Sequence, residues 1–191
     1  MNSYLLIYAT REGHTERIAE HLRETMEKRG ISAHLVDAAH LPDNFRLADY
    51  QGAIVAASVQ QQHHEREMTQ FVRAYRAQLE AMPTVFISVS LSEAGAEDSK
   101  NSAEQRAKAA ADVQRMIDEF LAETQWHPSK IKAVAGALLY TKYNFFIRFI
   151  MKQIAKHEGG DTDTSRDYEY TDWSSLDLLV DELTSVKPMT T

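Results

Sequence analysis

The sequence predicts an α/β fold: a doubly wound, five-stranded parallel sheet in the order 2-1-3-4-5, with an amphipathic helical insertion after the fifth strand. Three observations predict it. Short apolar runs of strand length recur along the chain, continuous enough to be buried on both faces. Segments with helical apolar spacing separate them. Turn residues mark the junctions. Strands alternating with helices imply right-handed crossovers and a parallel sheet covered on both sides.

The elements follow in order. Residues 4–9 form the first buried strand. Residues 15–28 carry Ile18, Ala19, Leu22 and Met26 on one helical stripe, and Gly30 stops that helix. Residues 32–36 read as the second strand and 37–50 as a loop holding Pro42. Residues 52–57 are the third strand. Residues 64–79 read as a helix with Met68, Phe71, Val72, Tyr75 and Leu79 inward. Pro83 breaks the chain before the fourth strand, 84–91. A polar loop is expected over 92–102 and a long helix over 103–121, with Ala109, Val113, Met116, Ile117 and Phe120 inside. Residues 131–138 give the fifth strand, 140–156 an amphipathic helix, 158–170 a polar loop, and 173–183 a closing helix. Residues 1–185 read as a single domain, and the polar tail 186–191, with Pro188, is expected to fray.

Composition narrows the function. The chain has 191 residues, 43% hydrophobic and 26% charged, which suits one domain with a real core. It contains no cysteine, so thiolate catalysis, disulfides and Cys-ligated metal are excluded. Any redox chemistry then needs a bound cofactor. A formal charge of −7 argues against nucleic acid as the main partner. The start of the chain reads as no signal peptide, and no apolar run is long enough to span a bilayer. A cytoplasmic location is the default expectation.

In a doubly wound sheet, ligands bind beyond the carboxyl ends of the strands, where strand order reverses. That rule directs attention to residues 10–15, 58–64 and 90–95. In the first of these, Thr10-Arg11-Glu12-Gly13-His14-Thr15 joins a strand to a helix. A helix amino terminus offers unpaired N–H groups and positive potential. Thr10 and Thr15 add hydroxyls, and Gly13 permits close backbone approach. The segment suits a mononucleotide phosphate. It equally suits a plain helix cap with a tight turn. It is neither a Walker loop nor a dinucleotide fingerprint.

The segment from Tyr8 through Ala19 resembles the start of the flavodoxin-like, menaquinone-dependent protoporphyrinogen oxidases. Further blocks carry the likeness: Gln125-Trp126-His127-Pro128, Ala135-Gly136-Ala137-Leu138 with Tyr140 and Tyr143, Gly159-Gly160-Asp161-Thr162-Asp163-Thr164, and Tyr170-Thr171-Asp172-Trp173. Together they span nearly the whole chain, and the last two are the most specific. The resemblance implies a flavodoxin-like fold and one non-covalent FMN. It implies oxidation of protoporphyrinogen IX to protoporphyrin IX, for haem biosynthesis, with electrons passed to a quinone. By the same resemblance Thr10, Arg11, Glu12, Gly13, His14 and Thr15 hold the FMN phosphate. Ser58, Val59, Gln60, Gln61, Gln62 and His63, with Ser90, Leu91, Ser92 and Gly95, flank the isoalloxazine ring. The second of these loops carries no glycine, and residues 93–104 are rich in alanine and acid.

Adjacent His63 and His64 point apart, so a shared metal is not expected, and no metal is assigned. They read as exposed polar side chains or a contact to a helix amino terminus or, more sharply, as a hydrogen-bond or proton partner of flavin and substrate. His14 is expected to contribute its backbone N–H rather than its ring. No side chain stands out as an obligatory acid or base. In the insertion, Phe145 and Phe149 lie among Lys142, Arg148, Lys152 and Lys156. Aromatics beside cations on an acidic protein suit peripheral contact with the inner face of the cell membrane, a quinone, or the propionates of a tetrapyrrole. Core packing or a homodimer interface is the alternative. Two other functions share the fold: a flavodoxin-like electron carrier and an NAD(P)H:quinone reductase.

Overall fold

The computed structural model describes residues 3–142 and 163–185. Strand β1 (Ser3–Ala9) leads into helix α1 (His14–Lys28), then β2 (Ser32–Asp37). A 3₁₀ turn, Leu47–Asp49, precedes the long strand β3 (Tyr50–Gln60). The short β4 (His63–His64), helix α2 (Arg66–Glu80) and β5 (Thr84–Ser90) follow. Next come α3 (Leu91–Glu97), α4 (Ala103–Thr124), β6 (Lys130–Ala135) and β7 (Ala137–Leu138). A 3₁₀ turn at Tyr140–Lys142, strand β8 (Tyr168–Glu169) and helix α5 (Trp173–Ser185) complete the described residues.

The main sheet runs β2-β1-β3-β5-β6, all parallel, which is the expected doubly wound order. Side chains alternate along each strand, so each strand feeds two cores. Leu5, Ile7, Val55 and Phe86 pack with Met68, Val72, Ile117 and Phe120 under α2 and α4. Leu6, Ile54, Val85 and Ile87 pack with Ile18, Leu22, Leu176 and Leu179 under α1 and α5. Helix α4 starts at a capping box: Ser102 Oγ accepts from the Gln105 N–H, and Gln105 Oε1 accepts from the Ser102 N–H. Such a cap contributes about 1 kcal/mol. Among the described residues, no helix is long and apolar enough to cross a membrane.

Four expectations are corrected. The helix predicted from residue 64 begins at Arg66, because the chain first turns back on β3 as β4. The predicted loop over 92–102 contains α3, which Ser90 caps through its hydroxyl. The predicted strand over 131–138 breaks at Gly136. There the Gly136 N–H donates to the Ser90 carbonyl, and β7 leaves to pair antiparallel with β8. Tyr140 does not open a long helix at once: it sits fully buried in a 3₁₀ turn. The remainder of the predicted insertion, with Phe145, Arg148, Phe149, Lys152 and Lys156, lies outside the described residues, and Lys142 is described only as part of that turn's backbone.

Candidate flavin site

Strands β1, β3 and β5 are neighbours, and Ala9 stands opposite Ala57 as Ser58 stands opposite Val89. The three segments singled out by the sequence therefore leave the same edge of the sheet side by side.

In the first segment, Gly13 sits at the cap of α1 in the left-handed region, with φ of 86°. A residue with a Cβ is strained there. Thr10 Oγ1 accepts the Gly13 N–H at 3.0 Å and holds the turn closed. Thr15 is fully buried, and its hydroxyl has no hydrogen-bond partner among the described residues. Leaving a buried hydroxyl unbonded costs about 1–3 kcal/mol, which an incoming oxyanion removes. The His14 ring is not idle. Thr171 Oγ1 donates to the Ala135 carbonyl at 2.7 Å, so His14 Nε2, 2.7 Å from that oxygen, is the donor to it. This bond ties the start of α1 to the segment before α5.

The second segment is a hairpin rather than an open loop. Ser58, Val59 and Gln60 continue β3, and Gln61 and Gln62 make the turn with φ of 49° and 69°. Two consecutive non-glycine residues in the left-handed region are costly. A side-chain bond holds Gln62 there. Gln62 Oε1 accepts from Arg115 Nη2 at 3.0 Å, and Arg115 is itself paired with Asp112 and Glu119. His63 is exposed, 4.0 Å from Glu119. The period of two turns His64 the other way, into the core. Its ring packs 5.2 Å from Phe86 and 4.9 Å from Phe120, and its Nε2 lies 2.9 Å from Ser88 Oγ. Burial, and then the neighbouring His63, push its pKa down to about 4. His64 is thus a neutral core histidine and not a group facing a ligand.

The third segment, Ser90 through Gly95, is the end of β5 and the first turn and a half of α3. Leu91, Ser92 and Gly95 are all helical, and Asn101 Nδ2 donates to the Gly95 carbonyl. Within α3, burial raises the pKa of Glu93, with Glu97 adding to it and Lys132 opposing. Glu97 is raised as well, by burial and Asp172, again against Lys132. This end of the site therefore holds carboxyl groups that keep their protons to higher pH than usual.

Sequence reasoning missed Glu65, Ser88, Arg115 and Thr171 in this region. Glu65 follows directly on the paired histidines, and Thr171 lies in the Tyr170-Thr171-Asp172-Trp173 block; Ser88 and Arg115 left no local signal.

A flavodoxin-domain family model matches residues 5–165. The chain belongs to the flavodoxin family. It is 30% identical over 172 residues to protoporphyrinogen IX dehydrogenase [quinone] of Escherichia coli K12, covering 90% of this chain and 89% of that one. The protein of the same name from Leishmania major is 31% identical over 173 residues, covering 90% of this chain and 70% of that one. Among solved structures, oxidised flavodoxin 1 from Bacillus cereus superposes with a TM-score of 0.53 at 14% identity, covering 98% of this chain and 100% of that one. At that identity it establishes the fold alone.

The cofactor of a flavodoxin domain is FMN. The residues present fit its phosphate: an orphaned buried hydroxyl on Thr15, a glycine cap, and the amino terminus of α1 lie together. Among the described residues no group of three His, Asp or Glu gathers to hold a metal.

Proposed function

We propose that this protein oxidises protoporphyrinogen IX to protoporphyrin IX with a quinone as electron acceptor. The observation that carries the reading is the match to the protoporphyrinogen dehydrogenases along 90% of the chain. A shared fold alone would not suffice, since one fold hosts many chemistries.

FMN, when bound, supplies the electron-accepting chemistry. The chain's own residues bind and orient. Gly13, with the N–H groups that open α1, receives the phosphate, and Thr10, Arg11, Glu12, His14 and Thr15 complete that cradle. Ser58, Val59, Gln60, Gln61, Gln62 and His63 form one wall beside the ring. Ser90, Leu91, Ser92 and Gly95 form the other. Glu93 lies in the same helical turn, and burial holds its carboxyl protonated to higher pH than an ordinary glutamate. The sequence pattern at Lys142, Phe145, Arg148, Phe149 and Lys152 supports peripheral contact with an anionic membrane, where a quinone resides.

The test is a steady-state assay. FMN-loaded protein mixed with protoporphyrinogen IX and a soluble quinone under nitrogen should generate protoporphyrin fluorescence at a rate proportional to enzyme. A rate no faster than buffer contradicts the reading. Reduction of quinone by NADPH instead would favour the quinone reductase.

A further inference from the structure

Glu65 occupies the position before α2 where a side chain usually caps the helix. It does not cap it. Its side chain makes no bond to the helix N–H groups, although its carbonyl accepts from the Met68 and Thr69 N–H groups. Its backbone N–H donates to the Ser58 carbonyl at 3.1 Å, so the residue is pinned to β3 and to α2 together. The carboxylate turns toward the flavin segments. Oε2 accepts from Arg11 Nη2 at 3.2 Å, and Oε1 accepts from Ser58 Oγ at 3.3 Å. The Glu65 side chain is 5% exposed, whereas that of Arg11 is 65% exposed. A buried carboxylate thus reaches from the second segment to the first, across 54 residues of sequence.

We propose that Glu65 is a positioning residue that couples the phosphate segment to the ring-wall hairpin through Arg11 and Ser58. The proposal rests on the flavin reading of those two segments. Its physical content is shared ordering. A ligand that orders residues 10–15 fixes Arg11, Arg11 fixes the Glu65 carboxylate, and the carboxylate fixes Ser58 at the base of the hairpin. A second ligand at the hairpin then loses less conformational entropy on binding. Coupling of this kind is reciprocal between the two sites. The location at the amino terminus of α2 keeps the carboxylate in favourable potential while it is spent on the bridge.

The test splits FMN into its parts. Flavin-free, full-length protein is titrated with riboflavin, followed by quenching of flavin fluorescence, with and without inorganic phosphate. In the wild-type chain, phosphate should tighten riboflavin binding about fivefold, a usual size for coupling between sites. In Glu65→Gln, and in Arg11→Ala, the phosphate enhancement should vanish, whatever the affinity for riboflavin alone. FMN affinity should fall by the lost factor. Arg11 is exposed, so its variant separates coupling from folding if Glu65→Gln is unstable. Enhancement that survives in both variants overturns the proposal. So does tighter phosphate binding in Glu65→Gln, because Glu65 would then hold Arg11 away from the phosphate instead of fixing it there. Wild-type protein that binds neither riboflavin nor FMN would overturn the proposal and the flavin reading together.

Discussion

The two segments on either side of the β1–β3 junction solve one problem in different ways. Both need backbone in the left-handed region. Residues 10–15 use glycine at Gly13, where the conformation costs little, and close the turn locally with Thr10. Residues 58–64 place glutamines at Gln61 and Gln62 and offset the strain with distant partners: Arg115 on α4, the Ser88 hydroxyl on β5, and the Phe86 and Phe120 rings around His64. The first shape is encoded in six consecutive residues. The second is encoded in the packing of the whole domain. The hairpin should therefore fail when its anchors fail, and the phosphate turn when its glycine is lost.

The largest expected effect strikes the hairpin through its buried anchor. His64 is neutral in the fold, with a pKa of about 4 against an ordinary value of 6.5. The unfolded chain therefore binds the extra proton between those values, and stability falls as pH drops from 6.5 toward 4. The loss across that window is about 3 kcal/mol. Urea midpoints measured at pH 7 and pH 4.5 should show it, and His64→Gln should flatten the difference to that of the carboxylates alone. An undiminished difference in the variant would break the assignment of His64 as the acid-sensitive anchor.

The next effect strikes the glycine. Gly13→Val forces a β-branched residue to a φ of 86°. The expected cost is about 2 kcal/mol in chemical denaturation. If the turn serves the phosphate, as proposed, the same change should weaken FMN by more than riboflavin. Equal losses for both flavins would break the division of labour between the two segments.

How far each region is legible follows from the same contrast. The strands could be read because buried parallel strands are continuous apolar runs, and α1, α2 and α4 because their apolar stripes are long. Gly13 and the hydroxyls of Thr10 and Thr15 announce a tight turn within one short segment, as a phosphate cradle or as a plain helix cap. The hairpin does not announce itself. His63 and His64 look alike as letters, and only their opposite facing on a two-residue strand sends one to solvent and the other into the core. Helix α3 was hidden because Leu91 to Glu97 is a short polar-looking run with a central glycine, stabilised by the Ser90 cap and by α4 rather than by its own stripe. The Glu65 bridge joins residues far apart in sequence, so no local pattern encodes it.

The smallest effect sharpens the comparison from the other side. Gln61→Gly removes strain at a φ of 49° but adds freedom to the unfolded chain. The net change should be a gain of about 0.5–1 kcal/mol, read as a higher urea midpoint. A loss would mean that Gln61 itself anchors the turn.

The function is tested most directly by single-turnover mixing. FMN-loaded protein is combined with excess protoporphyrinogen IX in the absence of oxygen, and the flavin absorbance is followed. On the proposed function, the visible flavin band bleaches as porphyrin absorbance appears, and a quinone restores the band. A flavin band that stays unchanged with protoporphyrinogen, yet bleaches with dithionite, would contradict it.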